Sequence, residues 1–219
     1  MTDNPNAIGG ENLRFFGKVT ASISHEIKNV LAIMNEKAGL LKDLTLMAQK
    51  GITLDINRIQ SIADDLRAQI KRGDDIIKNM NKYSHSVDHE IAEVNLSELI
   101  GLMVTLSERM ASKHGITLIA PPVQSGLSVR TRPFMLEQLI WQCLQMIMER
   151  SEQDKTITVE IASSDQGHQI ILRNKGGAAS LPKEAISWLI KTLHADLKIM
   201  NGETGLVVSL PRDISLQSA

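Results

Sequence analysis

Cysteine, aromatic residues and long apolar runs are all scarce in this 219-residue sequence, and each scarcity removes a class of protein. The single cysteine, Cys143, excludes an intramolecular disulfide, and no Cys/His cluster has zinc-ligand spacing, which fits a reducing, cytoplasmic setting. Aromatics make up only 3% of the chain while Leu, Ile, Met and Ala abound, a balance that favours helix-on-helix packing over a β-sandwich core. No apolar stretch approaches the ~20 residues of a membrane span, and the start, Met1-Thr2-Asp3-Asn4-Pro5-Asn6, lacks the basic and apolar regions of a secretion signal. The expectation is a soluble chain with no membrane partner. Charge of one sign is lacking too: 24 Lys and Arg against 25 Asp and Glu give a net −1, which argues against nucleic acid as a partner.

What is present is periodicity. From Leu13 to Ala48 a seam recurs at steps of three and four: Phe16, Thr20, Ile23, Ile27, Val30, Met34, Lys37, Leu41, Leu44, Ala48. This 3.5-residue repeat predicts a helix of ~50 Å packed against other helices at a shallow angle. A second stripe runs Ile52, Ile56, Ile59, Ala63, Leu66, Ile70, Gly73, Ile77, Met80, Ser84, so the pair forms an antiparallel hairpin turning near Gly51. Two helices leave a long apolar patch uncovered, and pairing two hairpins into a four-helix bundle removes it. A homodimer is therefore expected, the alternative being that residues 95–219 cover the hairpin within one chain.

The texture changes after Ser84-His85-Ser86-Val87-Asp88-His89-Glu90, which reads as a linker. Asn95-Leu96-Ser97-Glu98 is a capped helix start, and the helix stops at Gly115. Short strands at residues 116–119 and 127–130, an apolar helix from Pro133 to about Arg150, strands at 156–161 and 169–173, a helix from Pro182 to His194, a strand at 196–200, a turn at Asn201-Gly202-Glu203 and a strand at 206–210 complete the chain. The fold class expected is α+β: a flexible lead of residues 1–12, a helical hairpin over 13–88, and an α/β sandwich over 95–212 with helices on one face of a sheet.

The residue of chemical interest is His25. At ~100° per residue, Ile23, Ile27, Val30 and Met34 lie ~140–200° from it, so it projects away from the seam. Asn29 shares its face and Glu26 is its neighbour, which places an imidazole, a carboxylate and an amide on one rigid element. An exposed His beside Glu is by itself most often plain solvated surface. The zinc-protease pattern His-Glu-x-x-His fails, because position 29 is Asn and no third ligand is evident.

The surrounding stretch, Phe16-Gly17-Lys18-Val19-Thr20-Ala21-Ser22-Ile23-Ser24-His25-Glu26-Ile27-Lys28-Asn29-Val30-Leu31, resembles the phosphoacceptor box of two-component sensor histidine kinases. Val30 stands where the family has a proline that often bends the helix, so a straighter helix is implied here. Ile76-Ile77-Lys78-Asn79-Met80-Asn81-Lys82-Tyr83-Ser84 is similar to the family's second helix. The resemblance, over residues 14–90, implies a dimeric four-helix bundle whose histidine is phosphorylated.

In that family the next domain binds ATP, and Arg132 to Met146 resembles the helix that carries its asparagine box. This sequence has Gln142 and Met146 at the asparagine positions, and a thioether is no ligand for magnesium. Leu172-Arg173-Asn174-Lys175-Gly176-Gly177 resembles the first glycine box with Asn174 in place of the adenine-recognising Asp. Only about 18 residues follow Gly177 before the strand at Asp196, without room for a lid and a second glycine loop, and Trp188, Leu189 and Ile190 are expected to pack on the sheet instead. The resemblance thus implies a degenerate ATPase-like domain, no cofactor on this chain, and a histidine phosphotransferase like the kinase-derived dimeric ones of bacterial phosphorelays. Its partners would be response-regulator receiver domains, which bring their own Mg²⁺. His25 would be the nucleophile, Glu26 would orient its ring, Lys28 would supply positive charge, and Ala32, Ile33 and Glu36 would join Asn29 in docking the receiver. In the family, an Asn four residues after the His assists receiver dephosphorylation, so a phosphatase is one alternative and a non-catalytic pseudokinase scaffold another.

The remaining candidates have plain readings. His85 and His89 are i,i+4 in the linker but lack further ligands, Cys143 is core, His114 caps a helix end, and the methionines fill core gaps.

Overall fold

The structure, a computed structural model, describes residues 5–149, 151, 155–164, 167–174, 183–200 and 204–217. It divides into two compact units, residues 16–82 and residues 1–15 with 83–219.

The first unit is a helical hairpin. Helix α1 spans Pro5–Gln49 and helix α2 spans Ile56–Ser84, so both predicted helices are present. The start differs from expectation, since α1 is already helical from Pro5, eight residues before the predicted onset. Proline suits a first turn, where its missing N–H has no intrahelical partner to lose. The seam also differs at its N-terminal end: Val19 is fully buried, whereas Thr20 is exposed and Phe16 only half-buried. A shift of one residue rotates the contact face by ~100° and exchanges a hydroxyl for an isopropyl group in the interior. Farther along, Ile23, Val30 and Leu44 are buried as expected, with Ile62 of α2. Lys37, the polar seam position, is neutralised by Asp65 at 2.6 Å. At the turn, Gly51 takes φ +85 while Ile52 N–H reaches Met47 O and Gly51 N–H reaches Ala48 O, a Schellman stop; Asp55 Oδ1 then caps α2 through the amides of Asn57 and Arg58.

The second unit is built on a five-stranded sheet in the order β2-β4-β5-β7-β6, made of Thr117–Ile119, Thr156–Ser164, Gly167–Asn174, Thr204–Leu210 and Asp196–Ile199. β2 runs parallel to β4 and the other pairs are antiparallel. A separate two-stranded sheet joins β1 (Ala92–Asn95) to β3 (Ser128–Thr131), where a single sheet was expected. The sequence gives little sign of β1, because in Ala92-Glu93-Val94-Asn95 only Val94 is a strong strand former. Helices α3 (Leu96–Lys113), α4 (Pro133–Met148) and α5 (Lys183–Thr192) bury Ile100, Met103, Leu136, Leu139, Ile140, Leu144 and Leu189. The alternate strand positions Ile157, Val159, Ile170, Leu172, Leu206 and Val208 are buried with them. Each such side chain contributes ~1.5–3 kcal/mol. Apart from the cross-strand pair Ile171 and Val207, the opposite positions of the sheet carry charged pairs, Glu160 with Arg173 and Asp196 with Lys198. Gly167 at the start of β5 has φ +149, and a Cβ there would lie 2.0 Å from the carbonyl oxygen of Leu210, so only glycine fits.

The start of α1 belongs to this second unit. Phe15 is buried among Tyr83, Phe134 and Trp141 with ring centroids 5.5–5.9 Å away, and the Trp188 indole N–H donates to Glu11 Oε2 at 2.8 Å. These contacts account for the early helical start. Ser84 to Glu90, read as a linker, contains a 3-10 turn over His85–Val87, in which the His85 ring pairs with Asp88 rather than with His89. The expected turn at residues 201–203 lies outside the described residues. Cys143 is fully buried, and burial pushes its thiol up to about 12.

The helix stops yield a stability prediction. α3 ends in the same Schellman arrangement as α1, with Gly115 at φ +65, and α5 repeats it with His194 N–H to Lys191 O and Ala195 N–H to Ile190 O. There the left-handed residue is a histidine at φ 48. A Cβ is strained in that conformation, so His194→Gly is expected to stabilise the protein by ~0.5–1 kcal/mol, read as a higher midpoint in urea unfolding at unchanged slope.

Candidate functional site

The hairpin register fixes what faces what. Lys37 pairs with Asp65, and Val30 lies 3.5 Å from where a Cβ on Gly73 would stand, so the helices run past each other with His25 about level with Ile77 and Lys78. His25 is exposed, with Ile23 and Val30 buried behind it. Asn29, Ala32 and Glu36 are exposed and follow at the i+4, i+7 and i+11 positions, within ~40° of His25 around the axis. Lys28, also exposed, borders this row. Ile33 is half-buried at the edge nearer α2. Glu26, the next residue along, is half-buried and lies ~100° round the axis from His25.

Sequence reasoning left the α2 side of this surface without residues. The register supplies Gln69 and Arg72, about level with Ile33 and Asn29 and on the same side as the Lys37–Asp65 pair. Arg72 is exposed, and Gln69 Oε1 is buried without a hydrogen-bond partner. Periodicity alone shows which face of each helix is inward; only the cross-helix pairs show which residues meet. On the other flank, Leu31, Ile70 and Ile77 are 46–57% exposed, an uncovered apolar band turned ~120° away from His25.

In the sheet unit, Gln142 is half-buried and Met146 buried on α4. Asn174, the last residue of β5, is also buried and its Nδ2 donates to Thr156 O at 3.1 Å. Residues 175–177 of the glycine-rich stretch lie outside the described residues. A groove of about 590 Å³ lined by His194, Asp196, Lys198 and Ser209 sits at the other end of β5, ~20 Å along the strand from Asn174. Among the described residues, no group of three or more His, Cys, Asp or Glu could hold a metal ion, and no helix is long and apolar enough to cross a membrane.

No family model matches the chain, and no curated protein matches it. Among solved structures, it is similar to the catalytic domain of histidine kinase ThkA, at 16% identity and a TM-score of 0.48 over 57% of this chain and 97% of that one. It is also similar to the Acinetobacter baumannii histidine kinase AdeS, at 10% identity and 0.47 over 86% of this chain and 98% of that one. A third is histidine kinase ThkA in complex with the response regulator protein TrrA, at 19% and 0.45 over 92% of this chain and 63% of that one. Each is a similarity to a solved structure at under 20% identity.

Asn174 yields a test. The side chain acts as a donor to a main-chain carbonyl, so Asn174→Asp would set a carboxylate against that oxygen. The loss of a buried hydrogen bond and the repulsion are expected to destabilise the fold by ~1–3 kcal/mol, measured by urea unfolding, whereas Asn174→Ser should cost less.

Proposed function

We propose that this chain is a histidine phosphotransferase of a two-component phosphorelay, which passes a phosphoryl group between receiver-domain aspartates through His25 without using ATP. The observation that carries the reading is the exposed row His25, Asn29, Ala32 and Glu36, set on a helix whose opposite face is buried. A nucleophile on a rigid element meets an in-line phosphoryl donor without an ordering cost at the moment of reaction. In the transfer, an imidazole nitrogen bonds to phosphorus as the P–O bond to the donor aspartate breaks, and the aspartate leaves as a carboxylate. The receiver and its Mg²⁺ neutralise the oxygens, and Lys28 adds positive charge from this chain. Lys28, Ala32, Ile33, Glu36 and Arg72 border the surface on which the receiver docks. Gln142, Met146 and the committed amide of Asn174 support the absence of ATP chemistry. Glu26, half-buried beside His25, orients the imidazole ring in this reading.

A second copy of the chain covers the band of Leu31, Ile70 and Ile77 in this reading, completing a four-helix bundle. Light scattering is expected to give twice the chain mass, with Leu31→Asp plus Ile70→Asp reducing it to one.

Asn29, exposed one turn after His25, favours phosphatase activity as the second reading, since its amide can position a water on the aspartyl phosphate. Incubation with a receiver phosphorylated on its aspartate separates the cases. Phosphotransfer predicts an acid-labile label on the wild-type chain and none on His25→Gln. Phosphatase predicts free phosphate without label, abolished by Asn29→Ala. Neither label nor hydrolysis leaves only a scaffold, and labelling directly from ATP overturns the proposal.

A further inference from the structure

Two side-chain amides far from the surface around His25 are buried without partners, and one aromatic contact places them both. Gln138, on α4, has 0% of its surface exposed, yet neither its Nε2 nor its Oε1 forms a hydrogen bond among the described residues. Because both ends are unpaired, turning the amide over would not satisfy it. Asn12, on α1, likewise has a buried Oδ1 without a partner. An amide group brings two N–H donors and a carbonyl acceptor, and native interiors almost always pair such atoms with protein or with water.

The rings fix where the two amides lie. Phe15 packs on Phe134 and Trp141, with centroids 5.5 and 5.9 Å away. Those residues stand four positions before and three positions after Gln138, so all three share one face of α4 and Gln138 lies between the two rings that meet Phe15. Asn12 stands three positions before Phe15 and shares its face of α1. Its neighbour Glu11 accepts from the Trp188 indole N–H at 2.8 Å, which ties the same turn of α1 to α5. Gln138 Nε2 is a donor and Asn12 Oδ1 an acceptor, but they do not bond to each other.

We propose that Gln138 and Asn12 form a buried water site that pins the first turns of α1 to α4. The water accepts an N–H from Gln138 and donates an O–H to Asn12 Oδ1, which supplies two of the two to four partners that a buried water needs. The division of labour is physical. Phe15 provides apolar contact, which is non-directional and tolerates small shifts, whereas the bridged amides provide bonds that hold only at one position of α1 on α4.

The test pairs a count of waters with a stability cycle on the full chain. Oxygen-17 relaxation dispersion of the solvent, which detects waters held longer than the protein tumbles, is expected to show at least one fewer in Gln138→Met than in the wild type. In urea unfolding at fixed protein concentration, Gln138→Met should lower the folding constant ~10-fold, because Asn12 Oδ1 is left buried with nothing to accept from. Asn12→Leu should lower it in the same way, and the double variant, which removes both polar ends, should recover most of the loss. A folding constant that rises in Gln138→Met would mean that the amide sits dry. An unchanged water count with recovery in the double variant would mean a direct amide–amide bond, and losses that simply add would mean two separate sites. Each of these results would overturn the proposal.

Discussion

Contact between Val30 and Gly73 along the hairpin is the constraint from which the rest of the helical unit follows. A helix presents its faces in fixed proportion, so whatever is turned inward determines what is left outward. With Ile23, Val30 and Leu44 buried, His25 has no choice but solvent, and the residues at its i+4, i+7 and i+11 positions go with it. Exposure of His25 is a by-product of packing elsewhere on the same turn. A Cβ on Gly73 would meet Val30 at an ordinary 3.5 Å, so the glycine costs helix propensity without being demanded by the packing.

The core of the sheet unit is an ordinary layered one, helices against the apolar face of an antiparallel sheet with one parallel strand at the edge. Within it α4 carries a buried thioether at Met146, and the Asn174 amide at the end of β5 is tied to Thr156 O. The same unit holds the first turns of α1 through Phe15 and Glu11.

The helices were legible because a 3.5-residue repeat over more than four heptads has no alternative structure, and because Asn95 and Gly115 carry the cap chemistry of their positions. The outward direction of His25 followed from the same angles. The exact seam was less legible: Phe15 and Val19 differ from Phe16 and Thr20 by one residue, a difference settled by which aromatic partners stand nearby. β1 was invisible because a four-residue strand leaves too little pattern. Gln69 and Arg72 needed the interhelical register, which no single-helix period contains.

The lone thiol has a consequence of its own. Cys143 sits at the centre of α4, entirely shielded and with its proton firmly held, so in the folded chain this thiol is closed to oxidants and alkylating agents. The sulfur becomes reactive only when the core around it parts.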